Sequence, residues 1–397
     1  MKKPAKNVVY RGSVKDLIAL TPPTPARPGR FLFEFTDDFS VFDYGKMPDR
    51  LEGKGEALTL MTAWFFERLA DPREWKSLAG SKVWSNISDQ DFRTRLLQSP
   101  LLKRFQKSGM PTHYRGIIPP GKPLTRTPRL ETLSRRIEVW AVQILKPERG
   151  EIEGHPVWNY NRLHYGSDNY LIPLEVVFRF GTPTGSSLLE RVKANPGYLE
   201  TLGLNRVEEG RWLPRPVGEC FSKLEPSDRA LSPEVALNFS GLANPEFAEL
   251  LETSFLLAVF LRDRFARAGI ELWDGKFEFL RVRKRILLGD AITPDELRLV
   301  KDGIQISKEP IRQYYRRHHP EFLKKIAEAK SEANRTGRKI GSILKDRGYQ
   351  PPRLDPEFKK VAEDMYLGLV SELTGLKLLP PHRPLAEVVQ LLRKWVG

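Results

Sequence analysis

Two carboxylates, Glu278 and Asp290, offer the most chemistry in this 397-residue chain, because of what lies between them. Residues 273–280 form a β-rich run, the basic triplet Arg283, Lys284, Arg285 interrupts it, and residues 286–292 follow as a second apolar stretch. An antiparallel hairpin centred on Lys284 sets Glu278 opposite Asp290 on one face, with Cβ atoms about 5 Å apart. Carboxylates that close repel unless positive charge lies between them. A divalent cation with oxygen ligands meets that need, and Mg²⁺ at a phosphate site is the commonest case. The competing reading is two solvated strand carboxylates. Register decides, since a turn one residue shorter or longer sends the side chains to different faces. Lys276 alternates with Glu278 and shares its face, where it either counters nucleotide charge or pairs with the carboxylate.

Weaker signals flank this pair. Gly12, Ser13 and Lys15 form a glycine turn with a lysine on the returning strand, a pattern that lets backbone approach a phosphate. Arg179 ends a strand shortly before Gly185, Ser186 and Ser187 open a helix, which makes an anion site or an ordinary strand–turn–helix connection. Asp295 and Arg298, three apart, read as a capped helical turn with a local ion pair. His113, His155 and His164 do not fall at metal-ligand spacings and His318 and His319 lie in a basic helix, so all five read as structural or solvated. No nucleophile elbow or Walker A sequence is present, which leaves hydrolase and P-loop chemistry without support.

These groups need elements to position them. Residues 8–18 read as strand, glycine turn and returning strand, and residues 30–36 alternate as a half-buried strand. Helices are expected over residues 57–69 and 89–108, and strands over 138–145 and 174–180. Residues 115–172, rich in Pro, Arg, Asn and Tyr, read as an inserted excursion around one strand. Asn244 is the expected cap of a long helix with Pro245 at its first position, and Gly269 is its left-handed stop. Helical patterns run from residue 306 to the end, broken near 348–352 and 380–384. Strands and helices mix without βαβ alternation, which argues for an α+β fold. The expected division is 1–114, 115–172, 173–326 and a helical extension, 327–397.

Composition narrows the class. Hydrophobic residues make up 40% and charged residues 29%, ordinary for a soluble globular protein. No apolar run approaches the ~20 residues that cross a bilayer. Lys2, Lys3, Pro4 and Lys6 are followed by no apolar stretch, unlike a secretory signal. Cys220 is the only cysteine, so an internal disulfide and a multi-thiolate zinc site are excluded, and a reducing, cytoplasmic compartment is expected. Net charge is +15, with sixteen Lys or Arg against eight Asp or Glu in residues 301–360. That excess attracts polyanions such as nucleotides, phosphorylated metabolites or nucleic acid.

Six segments in order resemble the phosphoribosylaminoimidazole-succinocarboxamide synthase (SAICAR synthetase) family over residues 8–318. They are Tyr10-Arg-Gly-Ser-Val-Lys15; Phe35-Thr-Asp-Asp-Phe-Ser-Val-Phe-Asp43 with Met47-Pro-Asp49 and Gly53-Lys-Gly55; and Gly109-Met-Pro-Thr-His113. Then come Leu174-Glu-Val-Val-Phe-Arg179 with Gly185-Ser186; Asp274-Gly-Lys-Phe-Glu278 with Gly289-Asp290, Thr293-Pro-Asp295 and Arg298; and Ser307-Lys-Glu-Pro-Ile-Arg312. The sequence departs from the family pattern at Ser13, usually lysine, Thr59, usually asparagine, and Ala291, commonly glutamate. Val300 replaces an aromatic, Glu309 an aspartate, and residues 180–184 an Asn-Tyr-Leu-Ala type of loop.

The resemblance implies a two-lobed fold with mainly antiparallel sheets, an ATP cleft between the lobes and an added carboxy-terminal helical extension. It implies an ATP-dependent ligase joining L-aspartate to carboxyaminoimidazole ribonucleotide through an acyl phosphate, with Mg²⁺ as cofactor and ATP as co-substrate. Gly12, Ser13, Lys15, Lys276, Glu278 and Asp290 would hold ATP, with Glu278 and Asp290 on the metal. Ser40, Asp43, Lys54, Arg179, Gly185, Ser186, Lys308 and Arg312 would bind the other substrates, and Lys276, Asp295 and Arg298 would be catalytic. Partners are then small molecules, without nucleic acid or membrane, and a homo-oligomer is left open. A related ligase or kinase with another acceptor is the alternative that residues 180–184 raise, and assays with other amines separate it. A nucleic-acid-binding protein is the remote alternative; the basic stretch lacks the regular aromatics that base stacking needs, and salt-dependent oligonucleotide binding would revive it.

Overall fold

The computed structural model describes residues 8–121, 124, 130–225 and 228–396; the basic start of the chain, Lys2 to Lys6, lies outside them. Two antiparallel sheets dominate. Strands β1 (Val8–Arg11), β2 (Lys15–Thr21), β3 (Gly29–Phe35), β4 (Tyr114–Ile117) and β5 (Arg136–Ala141) form the first, in the order β1-β2-β3-β5-β4. The β1–β2 turn requires a glycine, because the Gly12 N–H bonds the Lys15 carbonyl at 3.0 Å and a Cβ there would lie 2.5 Å from that oxygen. A separate hairpin follows, β6 (Glu148–Ile152) with β7 (His155–Asn159).

Residues 115–172 therefore differ from the expected excursion around one strand. β5 sits inside the first sheet, with Phe31 opposite Val139 and Phe33 opposite Ile137. The expected boundary at residue 114 falls at the start of β4. The pairing escaped the sequence because β5 joins a strand about a hundred residues earlier, and only its alternation of buried Ile137 and Val139 hints at a core role.

The second sheet comprises β8 (Tyr170–Thr182), β9 (Arg211–Ser222), β10 (Ala230–Leu231), β11 (Glu271–Val282), β12 (Arg285–Leu288), β13 (Leu297–Lys301) and β14 (Ile304–Gln305). Val176, Phe178 and Phe180 alternate with Glu175 and Arg179 along β8. The apolar set turns toward the helix Asn244–Arg267, whose Arg262 lies over the Phe180 ring. The other face is charged. On its second edge β11 forks: β13 pairs with residues 271–275, whereas β12 pairs with residues 279–282. The connection 289–296 spans the opening between them.

Several local expectations need correction. The helix expected over 89–108 is two, Gln90–Leu97 and Pro100–Ser108, because Pro100 starts a new helix capped by the Ser99 hydroxyl. The long helix is capped at Ala243, with the Glu246 side chain accepting from the Ala243 N–H at 2.9 Å, so Asn244 lies inside it. Asp295 and Arg298 share no helical turn. Asp295 is in the 3₁₀ turn Pro294–Glu296 and Arg298 is on β13.

One continuous apolar core joins the sheets. The helix Lys54–Leu69 packs on β3, β4 and β5 and also on the carboxy-terminal helix Pro356–Thr374. At its first turn Lys54, fully buried, pairs with Asp295 at 2.8 Å. Burial would raise the Asp295 pKa, but Lys54 and Lys308 hold it down to about 2, and burial in turn lowers that of Lys54.

Two stability tests follow from this packing. Ile137→Ala should cost about 2–5 kcal/mol in denaturant unfolding if β5 is core, and well under 1 kcal/mol if residues 115–172 are an appended loop. Asp295→Asn leaves Lys54 buried without its partner and should cost about 3–5 kcal/mol at pH 7. Asp295 has a depressed pKa, so its stabilisation is present above about pH 4 and lost as pH falls toward about 2. Urea midpoints of the wild type should fall across that window more steeply than those of Asp295→Asn.

Candidate functional site

Glu175 on β8 stands directly opposite Glu278 on β11. Like charges facing each other across a ladder repel. Two lysines answer them: Lys223 bonds Glu175 at 2.8 Å and also Glu278, while Lys276 bonds Glu175 at 2.8 Å and Glu296 at 3.2 Å. Of the two roles open to Lys276, pairing with a carboxylate is seen, although its partners are Glu175 and Glu296 and not Glu278. A third lysine, Lys15, reaches across from the first sheet to Asp290.

The expected register of the β11–β12 hairpin needs correction. The turn consists of two residues, Arg283 and Lys284, both left-handed, and Val282 pairs with Arg285. Glu278 therefore lies opposite Gly289, whose N–H bonds the Glu278 carbonyl at 2.8 Å. Asp290 comes one residue later, but its own φ of 54° turns the backbone, and its carboxylate reaches the same charged cluster. The two acids converge by a kink instead of a ladder pairing.

Electrostatics splits the pair. Desolvation, with the negative charge of Asp290 added, pushes Glu278 up to about 7. Asp290 is half-buried as well, yet Lys15 and Lys223 hold it well below the usual carboxylate range. Burial thus works against the charge of Glu278, whereas nearby lysines favour that of Asp290. Asp228, on the connection after Lys223, is pushed up to about 6 by desolvation and by Glu175.

His113 holds this corner from behind. Its ring stands edge-on to Phe33 and Phe66, and Nε2 lies 2.6 Å from the Asp290 carbonyl oxygen. Burial lowers its pKa to about 4, so a neutral ring donates to that oxygen. Its backbone N–H bonds Leu288 at 2.9 Å and ties the first sheet to β12.

Among the described residues no group of three or more His, Cys, Asp or Glu side chains is arranged to hold a metal unaided. Glu278 and Asp290 supply two hard oxygen donors. That set suits Mg²⁺, which keeps several waters and takes further oxygens from phosphates.

Arg179, Gly185 and Ser186 gather at a second cluster. Arg179 is buried and bonds Glu219, Asp274 at 3.0 Å and Ser187 at 3.3 Å. Its nitrogens are occupied by Glu219, Asp274 and Ser187, so the guanidinium backs the site, in contrast to the expectation that it grips an anion. The Ser186 hydroxyl is buried without a hydrogen-bond partner among the described residues, at the start of the helix Ser187–Ala194. Arg298 Nη1 makes no hydrogen bond among the described residues and is ion-paired with Asp274 at 3.7 Å.

The remaining expected residues divide. Lys54 and Asp295 are sealed in their own pair, with Lys54 also donating to the Asp38 carbonyl at 3.2 Å, so neither is open to a substrate in this arrangement. Lys308 precedes the helix Glu309–His318 and its charge is felt by both. Arg312 pairs with Glu309 at 3.1 Å. Ser40 is buried in the loop after β3, and Asp43 there has a left-handed φ of 56°. Gly12 and Ser13 form the turn that aims Lys15.

Sequence reasoning missed Glu175, Lys223, Glu296, Glu219 and the role of His113. Glu175 was detectable as a charge inside an apolar strand, and Glu296 adjoins Asp295. Nothing local marks Lys223.

A family model described as SAICAR synthetase matches residues 8–97 and 127–330. An Archaeoglobus fulgidus protein assigned as phosphoribosylaminoimidazole-succinocarboxamide synthase is 32% identical over 385 residues, covering 96% of this chain and 99% of that one. A Thermoplasma acidophilum protein of the same name is 30% identical over 225 residues, covering 53% of this chain and 70% of that one. The fold is similar to that of a SAICAR synthase from Saccharomyces cerevisiae complexed with SAICAR, with a TM-score of 0.54, 22% identity and coverage of 95% and 97%. Another SAICAR synthase structure gives a TM-score of 0.55 at 20% identity, covering 95% of this chain and 97% of that one. By the extent of the family match and of the full-length relative, this chain belongs to the SAICAR synthetase family of ATP-dependent ligases.

Proposed function

We propose that the Glu278–Asp290 corner is the seat for the ATP phosphates and Mg²⁺ in the family's reaction, the ATP-dependent joining of L-aspartate to carboxyaminoimidazole ribonucleotide. The observation that carries this reading is the convergence of two half-buried carboxylates, one of them pushed up to about 7, among Lys15, Lys223 and Lys276. Bound there, Mg²⁺ would neutralise phosphate charge and orient the transferring group. The lysines, now engaged with carboxylates, would turn to phosphate oxygens as the nucleotide arrives. Lys15 on its hairpin covers the site from the first sheet.

The ribonucleotide phosphate fits the second cluster. The Ser186 hydroxyl, without a hydrogen-bond partner among the described residues, and Arg298, ion-paired with Asp274, would turn to it, Gly185 leaves the turn open, and Arg179 fixes Asp274 and Ser187 behind. Lys308 and Arg312 sit on the helix start that borders Gly185, and Ser40 and Asp43 would shape the pocket for the imidazole and aspartate. A carboxylate does not yield to an amine until its oxygen becomes a leaving group. Phosphoryl transfer from ATP to the substrate carboxylate forms ADP and an acyl phosphate; the aspartate amine then attacks the acyl carbon, phosphate departs, and the amine proton is lost. Catalysis of this kind is mostly positioning and charge neutralisation. Lys276 and Arg298 are the charged groups assigned to that task, whereas Asp295 is held inside the protein by Lys54 and Tyr366. A reducing cytoplasmic setting suits the single buried thiol of Cys220.

Purified protein with ATP, Mg²⁺, aspartate and the carboxylated ribonucleotide should release ADP only when all are present. Glu278→Gln and Asp290→Asn should each lower turnover by two orders of magnitude or more with unchanged circular dichroism. Near-normal ligation by Asp290→Asn would remove the metal assignment, and equal turnover with amines other than aspartate would remove the acceptor.

A further inference from the structure

The family match ends at residue 330, yet the helix Pro356–Thr374 reaches into the charged interior. Tyr366 is fully buried there and its hydroxyl donates to Asp295 Oδ1. Lys54 holds the other oxygen, Oδ2, at 2.8 Å and lies 5.0 Å from the centre of the Tyr366 ring. Two neighbours on the same helical face grip the adjoining chain. Glu363 accepts from the Glu52 N–H at 3.1 Å, and Leu367 packs so closely on Gly53 that a Cβ there would lie 3.0 Å from its Cδ2. Spacings of three and four residues put all three side chains on one stripe.

Of the three, Tyr366 is the one that holds the turn Pro294–Glu296, through Asp295. Asp295 points inward to Tyr366 and Lys54, and the next residue, Glu296, points the other way to Lys276 at 3.2 Å. Lys276 in turn holds Glu175, the partner of Glu278 across the strands. A short turn with one side chain clamped leaves the other little freedom, so the orientation of Glu296 depends on both oxygens of Asp295 being held.

We propose that Tyr366 is a positioning residue for the nucleotide site, fixing Asp295 from the carboxy-terminal helix and thereby setting Glu296 against Lys276. This rests on the assignment of Lys276 and Glu278 to the ATP phosphates. Without the phenol oxygen, Asp295 Oδ1 loses its donor in a site closed to water, the turn relaxes, and Lys276 is less well placed when the nucleotide arrives. A tyrosine that merely packs the helix would lower stability and leave substrate affinity alone.

Steady-state kinetics of Tyr366→Phe, with Mg·ATP and aspartate varied separately at a temperature where the variant is folded by circular dichroism, tests this. The KM for ATP should rise about tenfold, the size of one lost hydrogen bond to a charged group, with the KM for aspartate within about twofold. Glu296→Gln should raise the KM for ATP as well, and the double variant should be no worse than the poorer single one. Leu373→Ala, a packing change on the same helix, should lower Tm without moving the KM. A wild-type KM for ATP in Tyr366→Phe, or effects that multiply in the double variant, would overturn the proposal. Glu278→Gln in the same assay keeps the two ideas apart: retained turnover there removes the nucleotide-site reading, whereas an inactive Glu278→Gln beside an unchanged Tyr366→Phe removes only the role of Tyr366.

Discussion

Glu175 and Glu278 face each other across two central strands, and that repulsion organises the charged side of the second sheet. Neither glutamate could stay ionised there alone. Lys223 and Lys276 arrive from different elements to hold them, and each lysine is kept charged against its own burial by the acids around it. Asp290 adds a further negative charge and brings Lys15 over from the first sheet. The cluster thus sets Glu175, Glu278, Asp290 and Glu296 against the ammonium groups of Lys15, Lys223 and Lys276. In the proposed role, a magnesium-bound triphosphate would exchange partners with such a set.

The fork in β11 makes room for this. Where β13 ends and β12 has not begun, the chain from 289 to 296 is free of ladder pairing and can aim successive acids in different directions. Asp290 points to Lys15, Asp295 to Lys54 and Tyr366, and Glu296 to Lys276. His113 fixes the start of this segment through the Asp290 carbonyl, and the buried Lys54–Asp295 pair fixes its end. Residues from both sheets and from the carboxy-terminal helix therefore meet on eight consecutive positions.

Much of this was readable in sequence, and the gaps have physical causes. Glu278 and Asp290 stood out as paired acids because strand chemistry surrounds them. Their register was not readable, since Arg283 and Lys284 take left-handed conformations without the Asn or Gly that usually announces such a turn. The long helix ending before Gly269 followed from period and stop, but its cap was missed because a Glu246 carboxylate substitutes for an N-cap side chain. β5 looked like part of an insertion because its partner β3 is remote in sequence. Lys223 and Tyr366 gave no local signal at all; only the folded chain puts an ordinary lysine and an ordinary helix tyrosine beside buried acids.

The most direct measurement is the equilibrium affinity of ATP with and without Mg²⁺, by calorimetry, for the wild type and Glu278→Gln. The account expects Mg²⁺ to tighten ATP binding to the wild type by at least tenfold and to have little effect on the variant. An equal Mg²⁺ dependence in both proteins would mean that the cation is held elsewhere, and the role given to the converging carboxylates would be contradicted.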